Sequence, residues 1–409
     1  MMNTKNIAVC CDGTWNKPDF LEGTNVWKIY NYMEGGYGKK LGQARQVKYY
    51  DTGVGTGKGI SRFVGGISGA GLIENIFEAY RFVCAHYEPG DRIFIFGFSR
   101  GAYTARALSG VLNNIGVLTG DYKCTNPNYL NHNHTCFDSQ LVTERNDTYD
   151  FKRVCAQCKS LYDAVHDIKE SFKSHKRELY KEFKTALKTN TAADVLAKKN
   201  PLREMVNATY TTTAPGALSI EFLGVWDTVS ALGIPSLADV IKTRATIMER
   251  ILRRVSQFLV KSSQRQYAFI DNKLSANVKH AYHAISVDER RGLFPPVLWD
   301  EAPNVVQEWF AGVHSNVGGG YSDHSLSDIP LISMIERAKK LGLVFDTNYK
   351  NFTQPNCFGL ARKSHRESFY RYLPARQRKI PMPRNVHPSV YRRMTGGLQY
   401  VPTNVFREE

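Results

Sequence analysis

No stretch of this 409-residue chain approaches the ~20 consecutive apolar residues that a membrane-spanning helix needs. The start, Met1 to Asn6, is polar and runs directly into an apolar strand. It lacks the basic start, apolar middle and small-residue cleavage site of a signal peptide, so synthesis and folding in a cytosol are expected. Acidic residues are scarce: 38 Asp and Glu against 54 Lys and Arg leave a net charge of +16. Such an excess fits an anionic partner surface, and it equally fits a face of solvated lysines. Aromatic residues are not interleaved with the basic runs as they are in known nucleic-acid modules, so no nucleic-acid partner is expected. No internal repeat is visible.

Closely spaced cysteines are also few. Cys10 and Cys11 fall inside an apolar strand and read as small hydrophobes in a reducing compartment. Cys124, Cys136, Cys155 and Cys158 share one segment with His132 and His134, and Cys155 and Cys158 have the Cys-x-x-Cys spacing that suits zinc. Only one such pair is present, so free thiols or an adventitious disulfide stand against a structural zinc site at these four residues.

What is present is a globular composition, 42% hydrophobic and 12% aromatic, in a chain long enough for one large α/β domain with insertions or for two domains. Ile7 to Cys11 reads as a short buried strand ending in the polar turn Asp12-Gly13-Thr14-Trp15-Asn16. Helical spacing follows over Thr24 to Met33, then a second strand at Val47 to Tyr50 and a glycine-rich stretch from Gly53 to Gly71. Gly57-Lys58 invites a P-loop reading, which fails because Gly59 follows the lysine and Thr52 stands where the first glycine belongs. Leu72 to His86 has helical spacing, and Pro89-Gly90-Asp91 turns into the next strand.

That strand, Ile93 to Phe96, breaks at Gly97-Phe98-Ser99-Arg100-Gly101 and continues in a helical pattern. A buried strand, a Gly-x-Ser-x-Gly and a helix in succession describe a nucleophile elbow. Gly97 and Gly101 remove the Cβ atoms that would collide, and Ser99 stands at a helix N-terminus where backbone N–H groups stabilise an oxyanion. A serine hydrolase also needs a base and a carboxylate that orients the base. Asp227 follows the apolar strand ending at Trp226, and His314 follows the strand ending at Val313, in the chain order of α/β-hydrolases. Asp288 is the rival acid and is expected to pair with nearby arginines or cap a turn. The N–H of Arg100 is the first expected oxyanion donor, and one from Gly13 or Thr14 is the second. Asp12 is expected to brace the turn that carries them.

The fold expected is therefore an α/β-hydrolase with a mostly parallel central sheet and helices on both faces. Its core spans residues 1–120 and 218–345, interrupted by a basic helical insertion over 121–217 and followed by a basic extension over 346–409. The insertion is a candidate lid over the pocket. Basic residues Arg250, Arg253, Arg254 and Lys261 are candidates for docking on an anionic membrane, with a solvated charged face as the alternative. No metal or other cofactor is needed for the acyl-enzyme route.

Taken together, Asp12 to Asn16, Gly53-Val54-Gly55-Thr56, Gly97 to Tyr103, Val225 to Val229, Asp288 to Arg291, and Val313-His314-Ser315 through Gly319-Gly320-Tyr321 resemble one known family. It is the catalytic domain of the type VI secretion phospholipase effectors (Tle), first group, long catalogued as an uncharacterised α/β-hydrolase domain. The resemblance implies hydrolysis of glycerophospholipid acyl esters at a membrane surface, with Ser99, Asp227 and His314 as the triad. It also implies a secretion-apparatus partner, a cognate immunity protein and delivery to a target-cell periplasm. Asn316 stands where relatives are expected to carry Asp. The alternative is an esterase or thioesterase on soluble metabolites with the same triad. A nucleic-acid-binding protein on a degenerate hydrolase scaffold ranks below both.

Overall fold

The first strand, β1 (Lys5–Cys11), has every residue buried, which requires covering layers on both faces of the sheet it joins. A computed structural model of the chain describes residues 4–13, 23–34, 45–53, 69–120, 122, 156–189, 201–214, 216–229, 272–292, 294–367, 370, 375–381, 385–397 and 399–406. Within these, β1 is followed by α1 (Asn25–Tyr32), β2 (Arg45–Asp51), α2 (Gly69–His86), β3 (Arg92–Phe98) and α3 (Arg100–Asn114). Then come α4 (Ala156–Thr189), α5 (Pro201–Asn207), β4 (Ile220–Trp226), β5 (Ala281–Ser286), β6 (Val305–Phe310), α6 (His314–Gly318) and α7 (Asp328–Lys340). Two 3₁₀ turns (Thr347–Phe352 and Ser364–Arg366) and two helices, α8 (Pro388–Thr395) and α9 (Thr403–Phe406), complete the described elements.

The strands form one six-stranded sheet in the order β2-β1-β3-β4-β5-β6, and every pairing is parallel. This is the α/β architecture expected from the alternation of strand and helix patterns. Chain progression runs outward in opposite directions from the β1/β3 boundary. That boundary is the topological switch point, where open parallel sheets hold their ligands beyond the strands' carboxyl ends. Period-two alternation sorts the strands between two layers. Ile7, Val9, Ile93, Ile95, Leu223 and Val225 face a core closed by α2, α3 and α4. Ala8, Cys10, Phe94, Phe96, Phe222 and Trp226 face one closed by α1 and α7. Each large side chain so buried stabilises the fold by roughly 1.5–3 kcal/mol before entropy is charged. Cys10 and Cys11 are fully buried and act as the small hydrophobes their strand context implies, with burial pushing both thiols up.

The described part of the basic insertion is a layer of this core. Leu161, Ala164, Val165, Ile168 and Phe172 of α4 are buried in it, while Lys169 and Lys173 pair with Glu74 of α2. The C-terminal extension is likewise packed. Ile380, Val386, Val390 and Val405 cover Ile285, Val287, Trp309 and Ala311 at the β5–β6 end of the sheet. Trp309 N–H donates to the Asn385 carbonyl at 2.9 Å and His387 N–H donates to the Trp309 carbonyl at 2.9 Å, so this segment lines the edge of β6. The extension thereby reaches back to the carboxyl ends of β4 and β5.

Candidate active site

The turn after β3 is tight enough to force glycine at both flanks. A Cβ on Gly97 would meet the Gly101 carbonyl oxygen at 2.5 Å, and one on Gly101 would run into the carbonyl oxygens of Cys11 and Asp12 at the end of β1. Between them Ser99 takes φ 59°, ψ −121°, a conformation L-residues rarely adopt and one that persists only where its surroundings enforce it. Its N–H donates to the Trp226 carbonyl at 3.0 Å, which locks the elbow to the end of β4. Ser99 thus presents its hydroxyl at the switch point, and the N–H of Arg100 heads α3 beside it.

Asp227 emerges one residue after β4, also with positive φ (40°), and its N–H donates to the Ala284 carbonyl at 2.8 Å. His314 opens α6 after β6. Its Nδ1 lies 2.5 Å from Asp227 Oδ2 and its Nε2 lies 2.8 Å from Ser99 Oγ. Burial alone would raise the Asp227 carboxyl, but Arg378 and His314 overcome it and hold the group far below the usual carboxylate range. An ionised Asp227 can only accept, so Nδ1–H of His314 donates to it. Neutral His314 then keeps its Nε2 lone pair for the Ser99 hydroxyl. Burial pulls the imidazole below its ordinary value, against the opposing pull of Asp227.

The imidazole is walled by rings. Phe98 lies 4.6 Å from it, centroid to centroid, and Phe294 meets it edge-on at 5.1 Å. Phe98 can lie there because position 318 is glycine, where a Cβ would enter the Phe98 ring. The His314 backbone N–H donates to Glu289 Oε2 at 3.2 Å. Burial opposes the charge on Glu289, and hydrogen bonds from Arg291 hold it ionised, with Arg291 Nη2 at 2.8 Å. Asn316 ties the same turn outward: its Nδ2 donates to the Leu360 carbonyl at 3.1 Å and its Oδ1 accepts from Arg362 N–H at 3.2 Å. The first of these bonds needs an amide donor, which an ionised Asp at this position would lack.

Asp12 accepts from Gly13 N–H at 2.6 Å, Thr24 Oγ1 at 2.5 Å and the Tyr50 hydroxyl at 2.6 Å. The Gly13 N–H points at Asp12 Oδ1, so in this arrangement it is engaged, and Thr14, the other expected donor, lies outside the described residues. Asp288 is held away from the Ser99–His314 contact by other partners. It accepts from Gly312 N–H at 2.6 Å and the Tyr400 hydroxyl at 2.8 Å, capping the turn that precedes α6. Burial raises its carboxyl against those donors.

Residues 5–337 match the family described as T6SS, phospholipase effector Tle1-like, catalytic domain. The chain belongs to that family. One curated relative of this Tle1-like chain is an uncharacterized protein of Saccharomyces cerevisiae, 34% identical over 129 residues, a span covering 28% of this chain and 18% of the yeast protein. Two solved structures are similar at lower identity. An uncharacterized protein from Pseudomonas aeruginosa is 16% identical with a TM-score of 0.43, over 86% of this chain and 49% of that one. A Tle1 effector solved bound to the VgrG spike of the type 6 secretion system is 14% identical with a TM-score of 0.34, over 78% of this chain and 51% of that one. This chain therefore spans about half of each solved relative and less of the yeast protein.

Cys124, Cys136 and Cys155 are outside the described residues, as are Arg250, Arg253, Arg254 and Lys261. Cys158 falls on α4 without a described side chain. No helix among the described residues is long and apolar enough to cross a membrane. Two residues at the site were missed by sequence reasoning. Glu289 sits inside the Asp-Glu-Arg-Arg motif, so its signal was present but was read only through Asp288. Arg378 carries no local signal, being one cation among many in a basic extension.

Proposed function

We propose that this chain is a serine hydrolase that cleaves acyl esters of membrane glycerophospholipids, with Ser99 as nucleophile, His314 as general base and acid, and Asp227 as the orienting carboxylate. The observation that carries the reading is the relay of contacts from Ser99 Oγ to His314 Nε2 and from His314 Nδ1 to Asp227, at 2.8 and 2.5 Å, on a strained elbow at the switch point. Membership of a family described by phospholipase effectors supports the substrate class.

In this scheme Ser99 Oγ attacks the ester carbonyl as its proton passes to His314 Nε2. The imidazolium so formed is stabilised by Asp227 across the Nδ1–H bond. The tetrahedral oxyanion takes a hydrogen bond from Arg100 N–H at the head of α3. His314 then returns the proton to the departing lysolipid alcohol, leaving Ser99 acylated. Water, deprotonated by His314, releases the fatty acid and restores the serine. The phenyl walls of Phe98 and Phe294 keep bulk water from the imidazole, where low local dielectric strengthens these charge interactions.

Delivery by a type VI secretion apparatus, with an immunity partner in the producing cell, belongs to the same proposal through the family. Lipid product analysis tests the chemistry. Purified protein incubated with phospholipid vesicles should release fatty acid and lysophospholipid, and Ser99→Ala should release neither. Activity that survives in Ser99→Ala would overturn the assignment, and activity confined to soluble short-chain esters would favour the esterase alternative.

A further inference from the structure

Arg378 lies far along the chain from the elbow, beyond the residues that match the catalytic-domain family, yet its guanidinium reaches the orienting carboxylate. Nη1 donates to Asp227 Oδ1 at 2.5 Å and Nη2 donates to Asp227 Oδ2 at 3.0 Å, a two-pronged contact matching the fork of a guanidinium to a carboxylate. Oδ2 is the same oxygen that faces His314 Nδ1, and Oδ1 also accepts from Ser286 N–H at 2.9 Å. The guanidinium is itself anchored by the Ser286 carbonyl at 3.0 Å, Ser286 Oγ at 2.7 Å and the Phe294 carbonyl at 2.8 Å. Arg378 is 6% exposed and Asp227 is 0% exposed.

We propose that Arg378 is a positioning residue of the active site, clamping Asp227 in one rotation and balancing its charge so that His314 stays neutral and able to accept a proton. This rests on the triad assigned above. A buried carboxylate without a cation is costly, and beside an imidazole it draws a proton onto the pair. Among the described residues, the other charges acting on the imidazole are Glu289, at its backbone, and Arg291, which pairs with Glu289; on the Asp227 side His283, kept neutral by burial, accepts from Thr228 N–H at 3.0 Å, and none of the three bonds Asp227. Arg378 is the cation in direct contact with both carboxylate oxygens. Asp227 and His314 titrate as a unit, so removing that positive charge makes proton uptake by the unit easier, whichever group takes the proton. The segment after residue 337 is then a working part of the site as well as a patch on the core.

The test compares wild type, Arg378→Gln and Arg378→Lys by the pH dependence of ester hydrolysis and by NMR titration of the His314 ring. Arg378→Gln should raise the acid-limb midpoint of kcat/KM, and the His314 titration with it, by about one pH unit. It should lower plateau kcat by roughly 10- to 100-fold with KM little changed. Arg378→Lys keeps the charge but loses the fork, so the midpoint should hold while kcat falls about tenfold. A folded Arg378→Gln protein with wild-type midpoint and kcat would overturn the proposal. If that variant does not fold, Arg378→Lys with wild-type kcat would overturn it. Should wild type hydrolyse no ester, the functional reading fails, while the His314 titration still decides whether Arg378 controls the dyad.

Discussion

His314 Nδ1 and Asp227 Oδ2 stand 2.5 Å apart, bringing the end of β4 into contact with the start of α6 across the carboxyl edge of the sheet. An amide in place of the carboxylate carries no charge and can present an N–H to Nδ1, so the imidazole would favour the tautomer that cannot accept from Ser99. Asp227→Asn should therefore lower kcat by on the order of 10⁴-fold, the size of the same substitution in a well-studied triad, and cost stability through the buried Arg378 left without its anion. Steady-state kinetics beside a circular-dichroism spectrum check it.

Activity should fall on the acid side at a pH below the ordinary histidine value of about 6.5. In the proposed triad His314 accepts the Ser99 proton only when neutral, and burial lowers its pKa despite Asp227. A kcat/KM profile that is flat from neutral pH upward and declines only below about 6.5 is the expected result. A midpoint above neutrality would contradict it.

The two glycines of α3 should behave oppositely. Gly101→Ala drives a Cβ into the Cys11 and Asp12 carbonyls, so the protein should lose about 1–3 kcal/mol or more, together with its activity. Gly110→Ala meets nothing within 4 Å and sits in the same helix, so it should gain up to about 1 kcal/mol. Paired thermal melts of the two variants read this contrast directly.

Asp288→Ala separates the rival acids. It removes the acceptor for Gly312 N–H and the Tyr400 hydroxyl, leaving buried donors unpaired at a cost of about 1–3 kcal/mol. Its kcat should change by less than about tenfold, well short of Asp227→Asn. Chemical denaturation and kinetics on the same sample distinguish the two carboxylates.

Much of this was legible from local pattern. Strands β1, β3 and β4 are buried on both faces, so their apolar runs stood out without alternation, and their polar ends drew attention to Asp12, Ser99 and Asp227. Boundaries are less legible: the apolar run from Val278 to Val287 fits a strand or a strand and turn, and β5 itself spans Ala281–Ser286. The choice of Asp227 over Asp288 could only be a preference, because both follow apolar stretches and nothing in a linear sequence says which carboxylate meets His314. Gly13 looked like an oxyanion donor because its turn ends the first strand, and the competing acceptor is the side chain of its own neighbour.

By itself, the sequence determined the parallel α/β sheet, the glycines of the elbow and the order of serine, acid and histidine, because period, chain order and the need for a missing Cβ are local properties. Only the tertiary structure decided that Gly312 and Tyr400 occupy Asp288, and that Arg378 closes on Asp227 from 151 residues away. A charge is recognisable in sequence, but its partner is chosen by which strand ends the fold brings together and by the cost of leaving a buried carboxylate alone.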